Sequence, residues 1–143
     1  MTIKLNLDKG FQKMISDLNL SEKESKRVAD SCIRQSAQIM QSELQSAMKS
    51  SDLDQSLTNR MPPFQIKETD GKYRAEIGFT GTSYSPRNLS DYHKAVFANY
   101  GTPYRKKHGI EKSRGFVQRA KKSARPKIKK AQKSALKKIL ERL

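Results

Sequence analysis

Ser21-Glu22-Lys23-Glu24 reads as a capping box, and behind it Val28, Cys32, Ile33, Ala37, Met40, Leu44, Ala47 and Met48 recur at steps of three and four. The serine hydroxyl can accept from an orphan amide of the first turn, and the recurrence sets the apolar side chains on one face of an α-helix. The spacing predicts a helix over 21–49 of about seven turns, long for a globular domain. Its other face is serine, glutamine and charge. Such a helix must bury one stripe and leave the other wet, and the rest of the chain has to supply the cover.

Ahead of it, Ile3, Leu5 and Leu7 alternate with Lys4 and Asn6, the period of a half-buried strand. Asp8 can cap a brief helix whose Phe11, Met14, Ile15 and Leu18 share a face, so 2–18 is expected to be a strand followed by a short helix. Beyond the long helix the periodicity fades through Ser50, Ser51 and Asp52, and Pro62-Pro63 forbids further helix. Phe64 and Ile66 then alternate with polar neighbours, Asp70-Gly71 suits a two-residue turn, and Tyr73, Ala75, Ile77 and Phe79 alternate on the return. This predicts a β-hairpin over 63–79.

Residues 80–89, rich in Gly, Ser, Thr and Pro, are expected to form a loop. Ser90 can cap a helix over 90–100 carrying Tyr92, Val96, Phe97 and Tyr100, ended by Gly101 with Pro103 just beyond. Residues 103–123 combine Gly109, Gly115 and many cations; they read as a basic loop in which Phe116, Val117 and Ala120 hint at a turn or two of helix. Pro126 fits the first turn of a final helix over 126–143, striped by Ile128, Ala131, Ala135, Leu136, Ile139, Leu140 and Leu143. Burying five large aliphatic side chains at about 1.5–3 kcal/mol each outweighs like-charge repulsions of a few tenths each, so that helix should dock. The expectation is one α+β domain over 1–143: a long N-terminal amphipathic helix and a C-terminal helix packed on a small antiparallel sheet with a β-hairpin.

Charge is segregated. From Gly101 onward sixteen Lys and Arg face only Glu111 and Glu141, which accounts for +14 of the net +16. Clustering of that kind is the footprint of a partner dense in negative charge. With 34% hydrophobic residues the core will be modest, which favours burying a face against copies of the chain or a partner.

Little supports catalysis. His93 and His108 stand fifteen residues apart, without metal-ligand spacing around either and without a nucleophile motif around any serine. Asp52 and Asp54 lack the spacing of a calcium loop, and Gly78-Phe79-Thr80-Gly81 lacks the Lys and helix of a phosphate loop. Cys32, alone and within an apolar stripe, reads as a buried thiol. No enzyme activity, metal or cofactor is expected. No apolar run approaches the ~18 residues of a membrane span, and the N-terminus lacks the pattern of a secretory signal, so a soluble protein without a membrane partner is expected.

The run Tyr92-His93-Lys94-Ala95-Val96-Phe97-Ala98-Asn99-Tyr100-Gly101-Thr102, followed by Ala124-Arg125-Pro126 and a closing amphipathic helix, resembles the small neck and tail-completion proteins of long-tailed bacteriophages. In that family a Tyr begins a segment ending in an acidic-aromatic-Gly-Thr motif, and Ala-Arg-Pro-Phe opens the last helix. The motif positions here are Tyr92, Tyr100, Gly101, Thr102, Ala124, Arg125 and Pro126. Asn99 stands where the family has Glu, Lys127 follows Ala-Arg-Pro in place of Phe, and Lys130 replaces a second Pro. Met61-Pro62-Pro63 occupies the region of the family's Pro-x-Asp-Thr-Gly segment.

The resemblance implies a structural virion protein at the head–tail interface, made in the host cytoplasm and assembled as a homo-oligomeric ring, six-fold in expectation. Its implied neighbours are head-completion and tail-terminator proteins, with DNA in the channel. Arg105, Lys106, Lys107, Lys112, Arg114, Arg119, Lys121, Lys122 and Arg125 are the candidate contacts to DNA or to an acidic partner. The alternative is a nucleic-acid-binding protein that uses the basic C-terminal third without a virion role. The plainer readings are a solvated, solubilising lysine face and a basic helix on anionic membrane.

Overall fold

The computed structural model describes residues 2–7, 9–51, 55–69, 72–79, 90–100 and 115–142. The expected Asp8 cap, the Asp70-Gly71 turn, the 80–89 loop, Gly101-Thr102, the 103–114 part of the basic loop and Leu143 lie outside these residues. The architecture is α+β, with elements in the order β1 (Thr2–Asn6), α1 (Lys9–Asp17), α2 (Glu22–Lys49), α3 (Gln55–Asn59), β2 (Gln65–Thr69), β3 (Lys72–Gly78), α4 (Asp91–Tyr100) and α5 (Phe116–Arg142).

Helix α2 starts as its sequence dictates. Ser21 holds an extended backbone and its hydroxyl accepts the Glu24 amide at 3.2 Å, with Glu22 and Glu24 in the first turn against the positive end of the helix dipole. Its buried stripe is Cys32, Ile33, Ser36, Ala37, Met40, Leu44, Ala47 and Met48.

The sheet has the order β1-β3-β2, all antiparallel, so the N-terminal strand pairs with the far strand of the hairpin. Thr69 lies opposite Lys72, which leaves two residues for the connection, as the hairpin reading requires. One row across the sheet is Leu5, Ala75 and Ile66, with Ile3 beside Ile77 on the same face; Ala75 and Ile77 are fully buried, with α2 packed against β3. The opposite face carries Lys4, Arg74, Glu76 and Lys67. There Glu76 pairs with Lys67 at 3.1 Å and Arg74 at 3.3 Å, and the Lys67 hydrogen bond holds its carboxyl below the usual carboxylate range.

Three expectations need correcting. In α1, Phe11 and Ile15 are buried but Met14 is 53% exposed, because a helix of nine residues buries only a narrow stripe centred on those two. Between the fading of the long helix at 50–52 and Pro62-Pro63, where no further element was expected, stands the short α3, which buries Leu57 and Thr58. Above all, the last helix begins at Phe116, ten residues before Pro126, so the C-terminal part of the expected basic loop is helical and Pro126 is interior.

The reason is burial. Phe116, Val117, Ala120 and Ala124 are all buried and continue the stripe upstream at three- and four-residue steps. An interior proline costs about 3 kcal/mol through its missing amide and its clash with the preceding turn. Burying Phe116 and Val117 alone returns about 1.5–3 kcal/mol each. Pro126 and Lys122 are both exposed, so water can satisfy the carbonyl that loses its donor.

Helix α5 lies antiparallel against α2 in the most extensive helix pairing of the fold: Arg119 meets Ala47 and Ser51, Lys127 meets Glu43, and Ala135 and Ile139 lie beside Val28 and Cys32. The distal stripe that was expected to anchor the helix is only half-buried at Ile128, Ala131, Ala135, Leu136 and Ile139. The anchor is the proximal half.

Candidate interaction surface on the C-terminal helix

Helix α4 positions the surface. Ser90 caps it, its carbonyl accepting the Lys94 amide at 3.0 Å and its hydroxyl lying 2.7 Å from His93 Nδ1. Arg60, just past α3, forks onto the carboxylate of Asp91 with two bonds of 3.0 Å, which ties the start of α4 to the turn before the hairpin. That guanidinium holds the Asp91 carboxyl below its ordinary range. Tyr92 is half-buried and edge-on to His93, Ala95 and Ala98 are buried, and Tyr100 is 56% exposed.

At the far end of α4 sits Asn99, with 0% exposure. Its carbonyl accepts the Gly115 amide at 3.0 Å, and its side-chain Oδ1 accepts the Val117 amide at 2.9 Å. Gly115 adopts φ +59, a conformation glycine reaches without strain, and its carbonyl takes the Arg119 amide as the first bond of α5. Asn99 therefore caps α5 from sixteen or more residues upstream, doing for a distant helix what an N-cap residue ordinarily does for its own. The sequence marked Asn99 only as a departure from an acidic position. A glutamate there would bury a charge, whereas the neutral amide offers the acceptor without that cost.

Of the motif residues, Tyr92 and Tyr100 lie on the helix that Asn99 ends, and Ala124, Arg125 and Pro126 lie on the helix that Asn99 caps. Ala124 is fully buried, while Arg125 and Pro126 are exposed. Gly101 and Thr102 are outside the described residues, as are the candidate contacts Arg105, Lys106, Lys107, Lys112 and Arg114.

The remaining candidates divide by helix face. Arg119 reaches across to α2, to the Ala47 carbonyl at 3.5 Å and to the Ser51 hydroxyl, and Lys127, which was not singled out, pairs with Glu43, though both stay exposed. Lys121, Lys122 and Arg125 are exposed, and Lys129, Lys130, Lys133 and Lys137 continue them along the helix. None of these seven makes an ion pair with another of the described residues. Like charges four residues apart destabilise a helix by about 0.2–0.5 kcal/mol per pair, and Arg125, Lys129, Lys133 and Lys137 form three such pairs in a row. The helix tolerates this only because its inner face is held by α2.

Two shallow grooves flank α5. One, about 350 Å³, runs between α2 and α5 over Val28, Cys32, Ala135 and Ile139; the other, about 330 Å³, lies between β1 and α5 over Ile3, Leu5, Met40 and Ile128. Cys32 is buried, and desolvation pushes its thiol up to about 11, so it is a poor nucleophile. Among the described residues no three His, Cys, Asp or Glu come together, and no helix is long and apolar enough to cross a membrane. What this surface can offer chemically is positive charge on a rigid rod. Compared with family models, with curated proteins and with solved structures, the chain gives no match.

Proposed function

We propose that this chain is a non-enzymatic structural subunit of the neck of a long-tailed bacteriophage, assembling as a homo-oligomeric ring that joins head-completion and tail-terminator proteins. The observation that carries the reading is the Asn99 joint. The two stretches on which the resemblance rests, 92–102 and 124–126, are far apart in sequence, yet one buried side chain joins α4, which carries 92–100 of the first, to α5, which carries the second. The resemblance implies a long amphipathic helix, a hairpin, the Gly-Thr segment and a closing helix, and α2, the β2–β3 pair and α5 follow in that order, with α4 leading to Gly101-Thr102.

A ring subunit also needs surface left over from folding. The half-buried distal stripe of α5, with exposed Met14 and Tyr100, supplies apolar area, and the charged outer face of the sheet supplies polar area. The test is mass in solution. Light scattering across a concentration series, alone and with tail-terminator and head-completion proteins, should reveal a species of about six times the 16.3 kDa of one chain. A chain that stays monomeric at high concentration, alone and with those partners, overturns the reading.

A further inference from the structure

We infer that the outer face of α5 binds the phosphate backbone of double-stranded nucleic acid without reading its sequence. This goes beyond the ring reading and does not depend on it. Lys122, Arg125, Lys129, Lys130, Lys133 and Lys137 are all exposed, and none is paired with a carboxylate among the described residues. At 3.6 residues per turn they fall within one outward sector, opposite the buried Val117, Ala120 and Ala124, and from 122 to 137 they extend about 22 Å. Over that length one strand of a duplex presents about six phosphates.

Composition decides between nucleic acid and an acidic protein. The core of a protein–protein interface is built on apolar and aromatic anchors and is depleted in lysine. Between 122 and 137 this sector holds one large aliphatic residue, the half-buried Leu136, and no aromatic, and five of its six cations are lysines. A phosphate backbone asks only for positive charge at intervals, held in a fixed frame. Lysine is a point charge without the planar fork with which arginine reads guanine, so the face recognises phosphate rather than base. The frame is rigid because the proximal half of the same helix is locked to α2 and capped by Asn99.

The test is fluorescence anisotropy with a labelled duplex of about 30 base pairs, longer than the face, in two unrelated sequences and over a salt series. Both duplexes should bind within about threefold of each other, and log affinity should fall against log salt with a slope of about −5. The triple variant Lys129→Gln, Lys130→Gln, Lys133→Gln should flatten the slope by nearly 3 and weaken binding at least about tenfold at moderate salt. The charge-matched triple Lys9→Gln, Lys13→Gln, Lys23→Gln, all exposed on other elements, should weaken it less than about threefold. Replacing the same three α5 lysines with arginine should keep binding, which separates loss of charge from loss of fold.

Absence of binding at low salt overturns the inference. So does equal weakening by the two Gln triples, which would mean diffuse attraction, and so does competition by polyglutamate with no binding to duplex, which would mean an acidic protein partner. Light scattering on the Gln triple reads ring assembly separately, so either proposal can fail alone.

Discussion

Asn99 is the residue on which the C-terminal half turns. A buried cap should be costly to remove: Asn99→Ala is expected to lower stability by about 1–3 kcal/mol, measured by urea denaturation, because the buried Val117 amide loses its side-chain acceptor while the backbone bond from Gly115 remains. Asp91 offers a titration instead. Because its carboxyl is held below its ordinary value by Arg60, its pairing contributes stability that is full above about pH 4 and is lost as pH falls through the lower folded-state value. Both partners are substantially exposed, so the contribution is about 0.5 kcal/mol after solvent screening. Thermal melts of wild type and Asp91→Asn should therefore differ at pH 6 and converge near pH 2. Neither residue's role was legible beforehand. Asn99 has no local periodicity that marks a cap for a helix starting at 116, and Arg60 and Asp91 are thirty-one residues apart with nothing in their spacing to pair them.

At the scale of the element, α5 shows how local and tertiary signals compete. Proline at 126 is a strong local stop, and reading it as a helix start respects that rule. The structure overrides it because Phe116, Val117, Ala120 and Ala124 find a buried seat along α2. The spacing of those four residues was visible, but its weight depends on whether a partner surface exists, which only the fold decides. The substitution Pro126→Ala tests the point. In an exposed helix interior it should stabilise the protein by about 1–3 kcal/mol, seen as a higher urea midpoint at unchanged slope. A first-turn proline would give no gain. The elements with strong repeating patterns were legible throughout: the capped start and stripe of α2, the two alternating strands of the hairpin, and the Ser90 cap of α4 all lie within a residue or two of their expected bounds. The short α3 was not, because a single turn of helix carries too few residues to show a period.

For the whole molecule, the core is a three-stranded sheet packed on α2, with α5 laid along that helix. This arrangement predicts unequal truncations. A chain ending at residue 114 loses every buried residue of α5 and uncovers the α2 surface it packs on, and should lose its cooperative unfolding transition in circular dichroism. A chain ending at Lys130 gives up, among the apolar residues whose burial is described, the half-buried Ala131, Ala135, Leu136 and Ile139, and should unfold cooperatively with a loss of about 1–3 kcal/mol. The opposite ranking would place the anchor in the distal half. The sequence by itself determined the long helix and its apolar face, the strands of the hairpin, the Ser90-capped helix, and that positive charge gathers at one end, since all of these are short-range periods and counts. Only the tertiary structure decided that Thr2 pairs with Gly78 to put β3 in the centre, that Asn99 caps a helix across an intervening segment, and that Arg119 and Lys127 reach across to α2. Those outcomes depend on contacts between residues sixteen to more than eighty positions apart, where the gain comes from shared burial and no repeat within either segment records it.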